Sequence, residues 1–308
     1  MTKETLGETT KEIGKSIFNL YDNILWISED YIADKNYNVM AHYLENGEEI
    51  ESISRTVDGF SYRMDILRAK NRGENCPLFI NIHGGGFIGP HRENDTYFSA
   101  YMADQIHGIT VDLDYTLSDA APYPVALHQC MDALDYVAEH ANTWGASAKD
   151  ISVGGYSAGG ALTAAMGICC AERGGFVPKL QILCYPPLEY RIPDQYKIDA
   201  YDRQIGMERC KAFADLYFDD KKENFEDIHN SPLYAPREIL AKQPKTLILS
   251  AGLCNFRYED EDYAICLADA GAEVILKRFP EASHGFIPHF MDGWKEAADL
   301  MVREILEK

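Results

Sequence analysis

The stretch that decides the fold is residues 151–164, ISVGGYSAGGALTA. A short β-rich run leads into Gly155-Tyr156-Ser157-Ala158-Gly159, and small residues suited to a tightly packed helix follow. The order reads as strand, sharp turn, helix. A nucleophile elbow has this form, because its serine occupies a strained turn and glycines two before and two after let neighbouring backbone pass close by. A helix starting at Ala158 aims its free N–H groups and positive dipole end at Ser157, where negative charge develops in acyl transfer. Gly-x-Ser-x-Gly is short, and such a turn also serves packing alone, so its meaning depends on the rest of the chain.

Upstream, residues 78–82 (LFINI) read as a buried strand running into His83-Gly84-Gly85-Gly86-Phe87. Consecutive glycines leave backbone N–H groups unshielded by side chains, as an oxyanion hole requires, and the N–H of the residue after the nucleophile is the usual partner donor. The glycine run and the N–H of Ala158 are therefore where the oxyanion donors are expected. Two glycine-rich turns after two strands are far more specific than either alone.

Strand-like runs recur at 109–113, 151–153, 180–184, 246–249 and 274–276, with helical segments at 95–106, 125–142, 158–172, 259–270 and 292–307. Strands alternating with helices predict a mostly parallel sheet of about eight strands, flanked by helices on both faces. Alternating polarity between Glu48 and Arg68 suits an antiparallel edge hairpin. Apolar residues at helical spacing predict a helical segment over residues 1–45 that contributes to a cap. The connection between Tyr185 and Thr246 is too long for a simple crossover and rich in aromatics, which predicts a helical cap insertion at 189–230 hanging over the catalytic edge. Residues 46–188 and 231–308 form the α/β core on this reading.

The formal net charge of −20 and pI of about 4.8 disfavour nucleic acid and anionic membrane surfaces as partners. The first residues lack the pattern of a secretory signal and no apolar run is long enough to span a bilayer, so the expected location is cytoplasmic. The eight cysteines show no metal-ligand spacing and read as reduced core residues. No metal and no organic cofactor are expected, and the expected partner is a small ester substrate; association into homo-oligomers is left open.

A serine hydroxyl needs a base to attack at neutral pH. His284, in Glu281-Ala282-Ser283-His284-Gly285-Phe286 after the final strand, stands where this type of fold supplies it. With HGGGF at 83–87, DYTLSDAAPYP at 114–124, GYSAGG at 155–160, SPLYA at 231–235 and SHGF at 283–286 in this order, residues 76–306 resemble the hormone-sensitive-lipase-like esterases of the α/β-hydrolase superfamily. The resemblance implies the α/β-hydrolase fold with a cap, short-chain ester hydrolysis through a covalent acyl-enzyme, Ser157 as nucleophile, His284 as base, Gly85, Gly86 and Ala158 as oxyanion donors, and a carboxylate as third member.

Three departures stand out. Tyr156 replaces the Asp that usually precedes the serine, the family's DYRLAPE becomes DYTLSDA, and Cys254 occupies the position of the catalytic Asp. A thiol is a weak acceptor and largely uncharged near neutrality, whereas the Asn255 amide oxygen accepts well. Asn255 is accordingly the sequence choice for the third catalytic position. Cys254, Glu189, Glu259, Asp260 and Glu281 stay open as alternatives. The competing functions are a ligand-binding pseudo-hydrolase with little turnover, motivated by the missing acid, and an amidase or peptidase using the same machinery.

Overall fold

The computed structural model describes residues 42–192, 207–219, 221–254 and 256–307. Eight strands form one sheet in the order β1-β2-β4-β3-β5-β6-β7-β8. β1 (Glu51–Val57) and β2 (Phe60–Arg68) make the antiparallel hairpin, and β2 also runs antiparallel to β4 (Ile109–Asp114). β3 (Cys76–Ile82), β4, β5 (Ala146–Tyr156), β6 (Leu180–Cys184), β7 (Lys245–Ala251) and β8 (Val274–Phe279) are parallel. The central parallel strands β3 to β7 are mostly apolar and buried because helices cover both faces, with Asn81, Asp112 and Gln181 among the buried polar exceptions, while the edge strands β1 and β8 alternate between buried or half-buried and exposed positions.

Alternate residues of the strands feed two sides of the sheet. Ile80, Ile82, Val111 and Leu113 point into a core shared with α2 (Val125–His140) and α3 (Ala158–Arg173). Phe79, Ile182, Leu247 and Leu249 point the other way, against α1 (Glu93–Gln105) and α8 (Trp294–Leu306). α8 buries Ala297, Ala298, Met301 and Ile305, a single stripe at helical spacing, and its one buried charge, Glu304, pairs with Lys245 at 2.9 Å. α7 (Arg257–Ala270) packs Tyr263 and Leu267 on Leu183 and Ile248, and it stops at Gly271, whose φ of 95° provides the left-handed C-terminal turn.

Of the predicted cap, residues 1–41 lie outside the described residues, as do 193–206 and 220 within 189–230; a helical turn is present at 42–46. The described part of the insertion holds α4 (Met207–Phe218) and the short α5 (Lys222–Glu226), followed by α6 (Arg237–Leu240) before β7. α4 is docked on the glycine loop: Tyr217 stacks on Phe87 with ring centroids 3.7 Å apart, and the Tyr123 N–H donates to the Tyr217 carbonyl at 2.7 Å.

The strand order places β3 between β4 and β5, so chain direction across the sheet reverses there. In open parallel sheets, sites form at the carboxyl ends of the strands beside such a switch point. The turns after β3 and β5 are the two glycine-rich sequences.

Candidate active site

Ser157 follows the last residue of β5 and precedes the first residue of α3, with φ 53° and ψ −118°. A non-glycine residue at positive φ is strained and is retained only where its surroundings fix it. Here the Ser157 N–H donates to the Cys184 carbonyl and its own carbonyl accepts from the Ala161 N–H, both at 2.9 Å. The flanking glycine at 159 is forced by packing: a Cβ there would sit 2.1 Å from the Ile82 carbonyl oxygen. The glycine loop also presses on the elbow, less tightly, since a Cβ on Gly84 would fall 2.8 Å from the Tyr156 oxygen and 3.4 Å from Ser157 Cβ.

One cavity, enclosing about 1090 Å³ of space open to solvent, is lined by Gly84, Gly85, Gly86, Ser157, Ala158 and His284 together. Ser157, His284 and the three oxyanion candidates therefore share a single site, while the candidates for the third position, Cys254, Glu189, Glu259, Asp260 and Glu281, lie outside its lining. His83 is fully buried beneath it, donating Nδ1–H to the Gly84 carbonyl at 2.7 Å and stacking on Tyr115 at 4.3 Å. It supports the loop, as its place before the glycines suggests. Burial pushes its pKa down to about 3, which keeps the ring neutral.

His284 Nδ1 lies 3.1 Å from Cys254 Sγ. Asn255, the sequence choice for this position, lies outside the described residues. Cys254 is fully buried at the end of the β7 turn, and its sulfur already accepts the Phe256 N–H at 3.3 Å, so the slot is built to receive hydrogen bonds. Burial drives its thiol pKa well up, with the charge of Asp260 adding to the effect, so the sulfur carries its proton. The open carboxylate candidates have other surroundings. Glu259 accepts the N–H groups of Leu188 and Glu189, Glu189 accepts the Ile192 N–H, and Glu281 is exposed. Asp260 is fully buried, and burial holds its carboxyl well above the usual range, partly offset by the Ser250 hydroxyl beside it.

The imidazole of His284 is flanked edge-on by Tyr185 at 5.0 Å and Phe256 at 5.6 Å. This apolar burial, with the positive charges of Arg209 and His289 adding to it, lowers its pKa to about 3. A neutral imidazole is the form that accepts a proton. A neutral thiol beside it, however, leaves the tautomer unfixed: S–H donating to Nδ1 favours the form with the proton on Nε2, which cannot accept from serine.

The pH dependence follows from the sign of that shift. His284 loses its base form only as pH falls toward 3, so kcat/KM for an uncharged ester is expected to show no loss from His284 protonation between pH 8 and pH 5. A pH–rate profile with an acid limb centred between about pH 6 and pH 7, the ordinary histidine range, would contradict this.

Sequence reasoning missed four other residues of the wall. Arg92, Arg209, Tyr185 and His289 all line the cavity. None belongs to a motif; the only signal was the position of His289 five residues beyond His284 and of Arg209 inside the insertion. Among the described residues, no cluster of three or more His, Cys, Asp or Glu side chains could hold a metal ion, and no helix is long and apolar enough to cross a membrane.

An elbow serine, a glycine loop and a histidine on the carboxyl edge of an eight-stranded sheet define the class, and the chain belongs to the alpha/beta hydrolase fold family, whose model matches residues 79–288. It falls in the hormone-sensitive-lipase-like branch: human hormone-sensitive lipase is 27% identical over 151 residues, covering 48% of this chain and 14% of that much longer protein. Esterase LipI of Mycobacterium tuberculosis is 30% identical over 217 residues, 69% of this chain and 66% of the relative, so the chain spans just under two thirds of its length. The hyperthermophilic esterase of the archaeon Pyrobaculum calidifontis superposes with a TM-score of 0.76 at 26% identity, covering 89% of this chain and 88% of that one.

Proposed function

We propose that the protein is a serine carboxylesterase that hydrolyses short-chain acyl esters, with Ser157 as nucleophile, His284 as general base and Cys254 as the neutral group behind the histidine. The observation that carries this reading is the strained elbow conformation of Ser157 in the same cavity as His284 and the glycine loop. The esterase names of similar proteins support it. Ser157 Oγ attacks the ester carbonyl carbon while His284 Nε2 takes its proton, and the N–H groups of Gly85, Gly86 and Ala158 receive the oxyanion. The alkoxide leaves with the proton from His284. Water then repeats the sequence on the acyl-enzyme, releasing the acid and restoring serine.

Eight cysteines without a disulfide suit a reducing compartment, which supports a cytoplasmic location. The neutral partner of His284 favours one second reading, a binding protein with little turnover. Tyr190, Phe213 and Phe256 line the cavity and narrow it, which supports short acyl groups. Hydrolysis of 4-nitrophenyl esters from acetyl to dodecanoyl tests both points. The expected result is turnover that is fastest for acetyl to butyryl. Turnover fastest for dodecanoyl would reject the chain-length assignment, and no turnover of any ester would favour the binding reading.

A further inference from the structure

The glycine loop is anchored at both ends. On the sheet side, the Tyr115 hydroxyl donates to the His83 carbonyl at 3.2 Å and the His83 ring holds the Gly84 carbonyl. Past Gly84 the backbone is left-handed for three residues in a row, with φ of 111° at Gly85, 60° at Gly86 and 64° at Phe87. Glycine enters that region freely but has no preference for it, so Gly85 and Gly86 follow their surroundings. Phe87 carries a Cβ, and its positive φ persists only where neighbours fix it.

Those neighbours come from α4 and from the segment after β4. α4 meets three consecutive loop residues. Phe213 lies against Gly86, where a Cβ would fall 2.4 Å from Phe213 Cδ2; Leu216 is buried with Ile88; and Tyr217 stacks on Phe87 with the two rings only 4° from parallel. Residues 213, 216 and 217 share one helix face by their spacing of three and four. The Ser118 N–H and hydroxyl both donate to the Phe87 carbonyl, at 2.9 and 3.0 Å. Tyr217 is itself held in place: its carbonyl accepts the Tyr123 N–H, and the Tyr123 ring meets it edge-on at 5.7 Å while the Tyr123 hydroxyl donates to Asp227. Phe87 and Tyr217 are both only 2% exposed, so water does not compete for the stack.

We propose that Tyr217 is a positioning residue for the oxyanion hole: its ring holds Phe87 left-handed, Phe87 in turn sets the direction of the Gly85 and Gly86 N–H groups, and the hole is complete only while α4 is docked. Tyr217 lies outside the lining of the cavity, so it acts through the loop and not on the ester. The proposal deepens the esterase reading and rests on it for turnover, though not for the order of the loop. An oxyanion donor is worth about 10²–10³-fold in kcat, and its aim matters most once charge develops on the carbonyl oxygen, so a loop that loses its aim costs kcat more than KM.

Hydrogen–deuterium exchange reads the loop without turnover. The Ile88 and Gly89 N–H groups, which close on the Gly85 carbonyl at 3.2 and 2.8 Å, report its order. In Tyr217→Leu, exchange of a peptide covering residues 83–89 is expected to quicken about tenfold while a peptide covering 151–164 keeps the parent rate, and Tyr217→Phe, which preserves the stack, should match the parent in both. With 4-nitrophenyl acetate, Tyr217→Leu should lose about tenfold or more in kcat with KM changed by less than about threefold, and Tyr217→Phe should keep the parent kcat. Coupling is reciprocal, so phosphonylation of the wild-type protein by an alkyl fluorophosphonate, which fills the hole, should slow exchange over residues 207–218. Where Tyr217→Leu does not fold, this wild-type comparison decides. An unchanged loop in Tyr217→Leu, loosening spread evenly over every peptide, equal losses of kcat in the Leu and Phe variants, or an adduct that leaves residues 207–218 at their free rate overturns the proposal. Loosening confined to the loop in Tyr217→Leu, while wild-type protein hydrolyses no ester, supports this inference and rejects the esterase reading instead.

Discussion

Replacing Ser157 with Ala is expected to lower kcat for a 4-nitrophenyl ester by about 10⁶-fold, the scale seen when a serine hydrolase loses its nucleophile. The covalent route disappears with the hydroxyl, and a water held by His284 cannot replace an atom fixed at φ 53° above the glycine loop. The fold should persist, because alanine meets the same backbone strain as serine and the hydrogen bonds at this position are made by the main chain. Steady-state kinetics with a thermal melt of the same sample checks both halves. Activity within tenfold of the parent would rule out Ser157 as nucleophile.

The second large effect runs in the opposite direction. Cys254→Asp is expected to raise kcat by about 10²-fold or more, since exchanging the anionic third member of a Ser-His-Asp triad for a neutral group costs about 10⁴-fold. A carboxylate 3 Å or so from Nδ1 would fix the productive tautomer and stabilise the imidazolium that forms in the transition state, so the gain should appear in kcat rather than KM. The slot can receive it: the Phe256 N–H already points at the sulfur, and α7 begins three residues later with its positive dipole end nearby. The same anion should raise the His284 pKa and move the acid limb of the pH–rate profile upward. No gain in kcat, together with a collapse in Glu189→Gln or Glu281→Gln, would instead identify a carboxylate already acting on the ring.

Much of this architecture was legible in the sequence because it rests on two simple physical patterns. Buried parallel strands such as 78–82 must be apolar on both faces, and helices such as α8 must keep one apolar stripe, so each announces itself. β5 was read too short, as 151–153, whereas it spans Ala146–Tyr156. Its start is polar and its end is Gly154-Gly155, neither of which resembles a strand. The glycines pair normally with Asn81 and Ile82, and a Cβ on Gly155 would lie 2.4 Å from Gly159. Packing, rather than strand propensity, chose those residues.

The elbow and the glycine loop were legible for a related reason, since each demands glycine at positions where another backbone or ring passes close. At the third position the sequence choice, Asn255, lies outside the described residues. The described neighbour of Nδ1 is Cys254, one of the open alternatives: the turn after β7, where the Cys254 N–H closes on the Ala251 carbonyl at 3.0 Å, sets its sulfur against the ring. Arg209 left even less trace. One of three arginines in an acidic, aromatic insertion, it becomes informative only when α4 is seen lying on the glycine loop through Phe213 and Tyr217.

Active-site labelling shows whether Ser157 is the activated nucleophile of this cavity. Protein treated with a fluorophosphonate probe is digested and mapped by mass spectrometry, with His284→Ala and heat-denatured protein as controls. Stoichiometric modification confined to Ser157 is expected in the native protein, lost on denaturation and slowed strongly in His284→Ala. Native protein that stays unlabelled, or label found on another residue at the same rate, would contradict it.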